Sequence, residues 1–266
     1  MKDLVVIVPM HDYSKENVEL LKKAIDSVPE GIKVVVSSPK ELSKKKMKNL
    51  GENVTFIYES DGGNFQDLVN VAVNAIDEKW FSILEFDDTY TNAWLSNVEN
   101  HIEYMPNISV FMVLEDIVNF DDKKYLGFGN AEAWASSFSN ELGYIDNECL
   151  QNYFDFYLTG SIFNTADWRE LGGLKSKMTL TFWYEFLLRA TNKGKKVYVI
   201  PKVGYVHSLN RKGSLVDEYK TNMTAEEIQF YFDLAKREYF FHPSTERNLD
   251  YKETTSDKQG EGMSDE

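Results

Sequence analysis

The segment WFSILEFDDTYTNAWL, residues 80 to 95, carries an apolar run straight into Glu85, Asp87 and Asp88. Carboxylates packed this closely repel one another unless something cationic offsets them. In an extended chain Glu85 and Asp87 point to one face, and Asp88 swings outward as the strand ends. One ordinary role is capping, in which Asp88, Thr89 or Thr91 starts the helix that follows. A cap needs only one oxygen. The other role is to hold Mg²⁺ or Mn²⁺, hard cations that take oxygen ligands and bridge to phosphates. The three residues alone leave both roles open.

Further candidates lie later in the chain. His207 sits in YVHSLNRKGS, followed by Arg211 and Lys212, whose side chains are charge-assisted donors for a diphosphate or plain surface charge. Glu185 stands four residues before Arg189, the spacing of a helical i,i+4 salt bridge. His11 and Tyr13 follow the first apolar run and fit either loop packing or ligand contact.

The elements that position these residues are legible in the pattern. LVVIVP (4–9), IKVVVSS (32–38), VTFIY (54–58) and FSILEF (81–86) read as buried strands. Between them, SKENVELLKKAIDSV places Val18, Leu21, Ala24, Ile25 and Val28 at helical spacing, with Ser14 as cap and Pro29-Glu30-Gly31 as stop. Residues 64–76 and about 91–105 are helical as well. Alternating strands and helices imply a doubly wound, mostly parallel sheet with right-handed crossovers. Ligands in such sheets sit beyond the carboxyl ends of the strands. Pro9-Met10-His11, Ser37-Ser38, Asp61-Gly62-Gly63 and Asp87-Asp88 all fall there.

Residues 108–120 predict another strand, and 121–156 a long irregular insertion of the kind that covers a site. A short strand and helix follow in 158–174, closed by Gly172-Gly173, then a helix over 180–194 with Gly194 as its stop. KKVYVIP (195–201) reads as a strand leading into a loop. Thr224 and Glu227 have capping-box spacing for a last helix reaching about Phe241. Residues 243–266 are acidic, poor in apolar residues and predict a disordered tail.

The 266 residues carry a formal net charge of −14, with 42% hydrophobic and 14% aromatic content. A substantial core is available, and the acidic balance opposes a general nucleic-acid surface. Lys40, Lys44, Lys45, Lys46 and Lys48 form one local basic cluster, read first as a solvated face. Cys149 is the single cysteine, which excludes an internal disulfide and a thiolate metal cluster and fits a cytoplasmic setting. The N-terminal apolar run is too short for a signal peptide or a membrane span, so a soluble protein is expected.

Over roughly residues 3 to 215 the chain resembles the family-2 glycosyltransferases of the GT-A fold, with phage-encoded members especially similar in style. The resemblance rests on IVPMHDY, LVNVAV with Asn70, EFDD, GSIFNTADWRELGGL and YEFLLRATNKGKKVYVIP, in that order. It implies that Asp87 and Asp88 face a Mn²⁺ or Mg²⁺ ion on the diphosphate of a nucleotide sugar, a UDP-sugar first. His207 would be a further metal ligand. Pro9, His11 and Tyr13 would line the base and ribose, with Asn64, Asn70 and Glu85 nearby, and Arg211 or Lys212 would reach a diphosphate oxygen. Residues 1–105 would be the nucleotide-sugar half, 106–215 the acceptor half, 216–242 a C-terminal helix and 243–266 the tail. The family's acidic pair before the Leu-x-Arg helix is replaced by Phe182 and Trp183. Glu185 then becomes the candidate base, and Trp183 a wall of the acceptor pocket. The alternatives are a non-catalytic protein that keeps the fold and a transferase acting on modified DNA. A nucleotidyltransferase would want a Gly-rich, basic loop where PMHDYSKEN stands.

Overall fold

The computed structural model describes residues 3–11, 14–39, 50–58, 63–138 and 141–239. The lysine cluster, Tyr13, the Asp61-Gly62 turn and the C-terminal tail lie outside the described residues. Strands β1 (Leu4–Pro9), β2 (Lys33–Ser38), β3 (Val54–Tyr58) and β4 (Trp80–Ile83) pair in parallel in the order β3-β2-β1-β4. Every residue of β1 is buried because the sheet is covered on both faces. Val5 and Ile7 enter one apolar cluster, and Leu4, Val6 and Val8 the other.

Helix α1 (Lys15–Asp26) starts where the Asn17 N–H donates to Ser14 Oγ. Helix α2 (Phe65–Asn74) starts at Asn64, whose side chain accepts from the Asp67 N–H. Beyond β4 the sheet continues through β9 (Ile162–Asn164), β6 (Val110–Asn119), β10 (Val197–Leu209) and the two-residue β5 (Thr89–Tyr90). Strand β9 is antiparallel to both β4 and β6, while β6 and β10 are parallel. The architecture is therefore the expected mixed α/β sheet flanked by helices, with a parallel half built from the first four strands.

Three expectations change. The strand expected over 81–86 ends at Ile83, and the Asp88 N–H bonds to the Glu85 carbonyl to turn the chain. The acidic residues thus ride on a turn beyond the strand. The strand expected to stop at Pro201 instead runs on to Leu209. Pro201 cannot donate to a ladder, but register shifts between Ile200 and Tyr205 absorb it as a bulge. His207 consequently lies on a strand, paired with Ile117. The 121–156 insertion holds β7 (Tyr125–Gly129), β8 (Tyr144–Ile145) and helix α4 (Asn147–Asn152), elements too short to show periodicity.

The remaining helices are α3 (Trp94–Tyr104), α5 (Thr165–Leu171), α6 (Phe182–Asn192), α7 (Leu215–Asn222) and α8 (Ala225–Glu238). Helix α8 opens on the expected capping box of Thr224 and Glu227. No helix of the described residues is long and apolar enough to cross a membrane.

One glycine lets the chain beyond β4 pack closely on β10. Gly160 sits at φ +71°, and a Cβ there would lie 2.4 Å from the Tyr205 ring. The same ring carries the hydroxyl that accepts the Glu85 N–H at 3.0 Å. Gly160→Ala is expected to cost about 1–3 kcal/mol through strain and overpacking. Urea unfolding should show a lower midpoint with an unchanged slope.

Candidate functional site

The question of cap or cation is answered by where the Asp88 oxygens go. Helix α3 begins after Ala93 with no side-chain cap, and Thr91 Oγ1 donates to the Val203 carbonyl instead. Asp88 is buried, and neither of its oxygens caps a helix. Its Oδ1 accepts the Ser208 N–H at 2.7 Å, and its Oδ2 lies 2.9 Å from His207 Nδ1. Asp87 turns the other way and takes Arg211 Nε at 2.5 Å. Arg211 is itself buried, with its guanidinium 5.0 Å over the Phe86 ring. Carboxylate oxygens of Glu85, Asp87 and Asp88 lie within 4.8 Å of one another.

Such crowding shifts the protons. Burial, then the Asp88 and Asp87 charges, push Glu85 up to about 8. Burial and Asp88 also raise Asp87, against the pull of Arg211. Burial draws His207 down, but Asp88 and its hydrogen bond outweigh it and leave the imidazole at about 10. Below the cluster, Glu115 is fully buried, burial raises it well above the ordinary value, and its Oε2 has no hydrogen-bond partner among the described residues.

The cluster opens onto a cleft of about 530 Å³ beyond the carboxyl ends of β1 and β4. His11, Glu85, Asp87, Trp183, His207 and Arg211 all reach its lining, so six of the sequence candidates meet in one place. His11 packs its ring 5.5 Å from Phe86. Pro9 is buried at the end of β1, and Lys212 is exposed on the turn after Arg211; neither lines the cleft. Asn64 and Asn70 do not line it either. Asn64 caps α2 and donates to the Ser176 carbonyl at 2.8 Å. Asn70 grips Leu174 with both ends of its amide, at 2.7 and 2.9 Å. Both asparagines position the Gly173–Ser176 loop.

Glu185 is corrected most sharply. It is fully buried and absent from the cleft lining. Arg189 binds it bidentately at 2.9 and 2.8 Å, and Tyr239 and Lys175 reach Oε1 at 2.7 and 2.9 Å. Burial favours the protonated form, but these donors overcome it and lower the carboxyl below its ordinary value. A carboxylate so committed does not accept a proton from a bound hydroxyl. It is the i,i+4 pair that the spacing allowed. Arg189 also donates to the Leu171 and Gly173 carbonyls, anchoring the same loop as Asn70.

Several lining residues carried no signal in the sequence: Phe154, Asp155, Tyr157, Phe232 and Asp217. They come from the segment after α4 and from α7 and α8. For Phe154 and Asp155 the one hint was their place at the end of the irregular insertion over 121–156, of the kind that covers a site.

No protein-family model matches the chain, and no curated protein matches it. Among solved structures it is similar to TarS of S. aureus in complex with UDP-GlcNAc, at 16% identity and a TM-score of 0.60, over 87% of this chain and 64% of that one. It is also similar to the mannosyltransferase PcManGT of Pyrobaculum calidifontis in complex with GDP-Man and Mn²⁺, at 14% identity and a TM-score of 0.63, over 91% and 66%. The chain thus spans about two thirds of the length of these structures. The likeness establishes the fold they share, the GT-A architecture.

Two outcomes are expected from this geometry. Replacing Arg189 by Ala leaves Glu185 buried and partly unpaired, which is expected to cost about 3–5 kcal/mol; urea unfolding measures it. The second concerns pH. His207 and Glu85 both have folded-state pKa values raised above the ordinary ones, so each stabilises the protein most below its unfolded value. The Glu85 contribution is lost as pH rises from its ordinary range through about 8, and that of His207 from its ordinary range through about 10. In chelator-containing buffer the melting temperature should therefore fall from pH 6.5 to pH 9. His207→Asn should flatten the alkaline part of that curve.

Proposed function

We propose that this protein transfers a glycosyl unit from a nucleoside-diphosphate sugar to an acceptor hydroxyl. The observation that carries this reading is the Asp88–His207 bond at the mouth of the cleft. A histidine that ligates a metal ordinarily donates its other ring nitrogen to a carboxylate, which fixes its tautomer and aim. Asp88 Oδ2 on Nδ1 does this and leaves Nε2, which makes no hydrogen bond among the described residues, as the nitrogen for a ligand. Glu85, Asp87 and Asp88 bring hard carboxylate oxygens within 4.8 Å of one another on the turn that Asp88 ties to His207. This donor set suits Mn²⁺ or Mg²⁺. Asp87, Glu85 and His207 would hold the ion, and Asp88 would position His207.

A divalent ion there supplies Lewis-acid stabilisation of the leaving diphosphate. Arg211, released from or shared with Asp87, donates to a diphosphate oxygen. His11, just beyond the first strand, borders the nucleoside, and Trp183 faces the acceptor. The bound UDP-GlcNAc and GDP-Man of the similar structures support a nucleotide sugar as the donor class, with a UDP-sugar tried first. The modified-DNA reading gains nothing from the cleft, which shows no basic track: its cationic lining is Arg211, already paired, and His207.

A second reading has one specific observation behind it. Arg211 already neutralises Asp87 at 2.5 Å, so the chain itself supplies a cation where the ion would sit. Thermal melting separates the two. UDP-GlcNAc or GDP-mannose with Mn²⁺ is expected to raise the melting temperature, because a ligand at about 100 times its Kd adds about 2.7 kcal/mol. Asp87→Ala should abolish the shift, and Asp88→Ala should weaken metal affinity about 10–100-fold through His207. An equal shift in EDTA would transfer the cationic role to Arg211. No shift with either donor would sink the transferase reading.

A further inference from the structure

With Glu185 committed elsewhere, the cleft needs another group to take the acceptor's proton, and its own lining contains one. The acidic side chains of the lining are Glu85, Asp87, Asp155 and Asp217. Asp87 holds Arg211. Asp217 accepts the Gly213 N–H at 2.8 Å within the turn that starts α7. Glu85 belongs to the acidic cluster, its carboxylate within 4.8 Å of those of Asp87 and Asp88. Asp155 alone of the four is exposed to the cleft and makes no hydrogen bond or ion pair among the described residues.

Its backbone, in contrast, is braced. Asn130 is fully buried in the left-handed region at φ 66°. Its amide donates to the Tyr157 and Val113 carbonyls at 2.9 and 2.8 Å, and its oxygen accepts the Tyr157 N–H at 2.9 Å. Tyr157 packs its ring 5.3 Å from that of His207. Asp155 stands two residues earlier, a separation of at most about 7 Å along the chain. It lines the same cleft as His207 and Tyr157. On its other side Phe154 packs 4.2 Å from the Phe232 ring, forming an aromatic shelf at the cleft. Burial and the Glu132 carboxylate raise Asp155 above its ordinary value, the direction that strengthens a base.

We infer that Asp155 is the general base that accepts the proton of the acceptor hydroxyl, an assignment that rests on the transferase reading above. The acceptor O–H bond breaks with its electron pair left on oxygen, and the proton passes to an Asp155 carboxylate oxygen. The acceptor oxygen bonds to the anomeric carbon. The bond from that carbon to the diphosphate oxygen breaks, and its pair leaves with the nucleoside diphosphate. Asp155 then returns its proton to solvent.

The test uses the full chain, Mn²⁺, and UDP-GlcNAc or GDP-mannose as donor. Water, glycerol and a panel of free sugars serve as acceptors, and nucleoside diphosphate release is the readout. Asp155→Asn should lower kcat by about 100-fold or more, the usual scale for losing a general base. The donor-induced rise in melting temperature should match that of the parent, and Asp155→Glu should recover part of the rate. Turnover of Asp155→Asn within about threefold of the parent overturns the assignment while the donor site stands. Loss of the donor-induced shift in Asp155→Asn also overturns it, because Asp155 would then be holding donor or structure. A parent protein that melts higher with donor yet releases no nucleoside diphosphate removes the base and keeps the binding site. A parent protein that no donor stabilises removes the transferase reading, and this inference falls with it.

Discussion

The Asp88 carboxylate joins two parts of the chain that lie far apart in sequence. Its bonds to the Ser208 N–H and to His207 cross 120 and 119 residues. They fix the turn beyond β4 against the far end of β10. Everything around the cleft mouth depends on that junction. It aims His207, it sets the end of β10 from which Arg211 reaches back to Asp87, and it keeps three carboxylates within 4.8 Å. Buried hydrogen bonds to charged groups are strong because water does not compete for them, and costly to leave half-made. Tyr205 reinforces the junction from beneath, and it can approach only because Gly160 has no side chain.

A second charged centre does the same work for the opposite wall. Glu185 and Arg189 form a buried pair whose spare donors end on the Leu171 and Gly173 carbonyls. Asn70 closes the loop from α2 through Leu174. The loop so held leads into Thr181, Phe182 and Trp183, which line the cleft. Two polar hubs thus set the two sides of one cavity, one around Asp88 and one around Arg189. The Arg189 hub keeps Glu185 away from the cleft, which fits scaffolding, whereas the Asp88 hub reaches the cleft through Asp87, His207 and Arg211.

The parallel half of the sheet was legible because strands buried on both faces read as unbroken β-branched runs, as in LVVIVP. Helix starts were legible where a cap and its partner lie three residues apart, as with Ser14 and Thr224, while the same spacing at Asn64 went unread because the resemblance puts that residue near the nucleotide. The far course of β10 was not, because Pro201 reads locally as a stop and the bulge that absorbs it depends on partner strand β6. The acidic motif was legible as an anomaly but not in its wiring. No local rule tells that Asp88 turns to His207 while Asp87 turns to Arg211. Glu185 misled for the opposite reason: its spacing to Arg189 was informative, yet burial alone decides whether such a carboxylate is a base or a strut. Asp155 carried no signal, since an isolated aspartate in an aromatic, aperiodic stretch resembles any surface loop.

The charge balance of the cluster links metal and proton. Glu85, Asp87, Asp88 and Glu115 face two cations, Arg211 and His207. Burial and mutual repulsion push Glu85 up to about 8 and raise Glu115 well above the ordinary value, which lightens the negative side of the cluster. In the proposed site a divalent ion would change both sides of that balance. Its charge would loosen the proton on Glu85, and His207 would have to give up its ring proton to act as a ligand. Ligand deprotonation accompanies metal binding in general. Here the burial that raises Glu85 and the Asp88 bond that raises His207 make the proton a strong competitor. Under the proposed metal site, the same Asp88 bond that aims the imidazole would also set how far pH must rise before an ion binds.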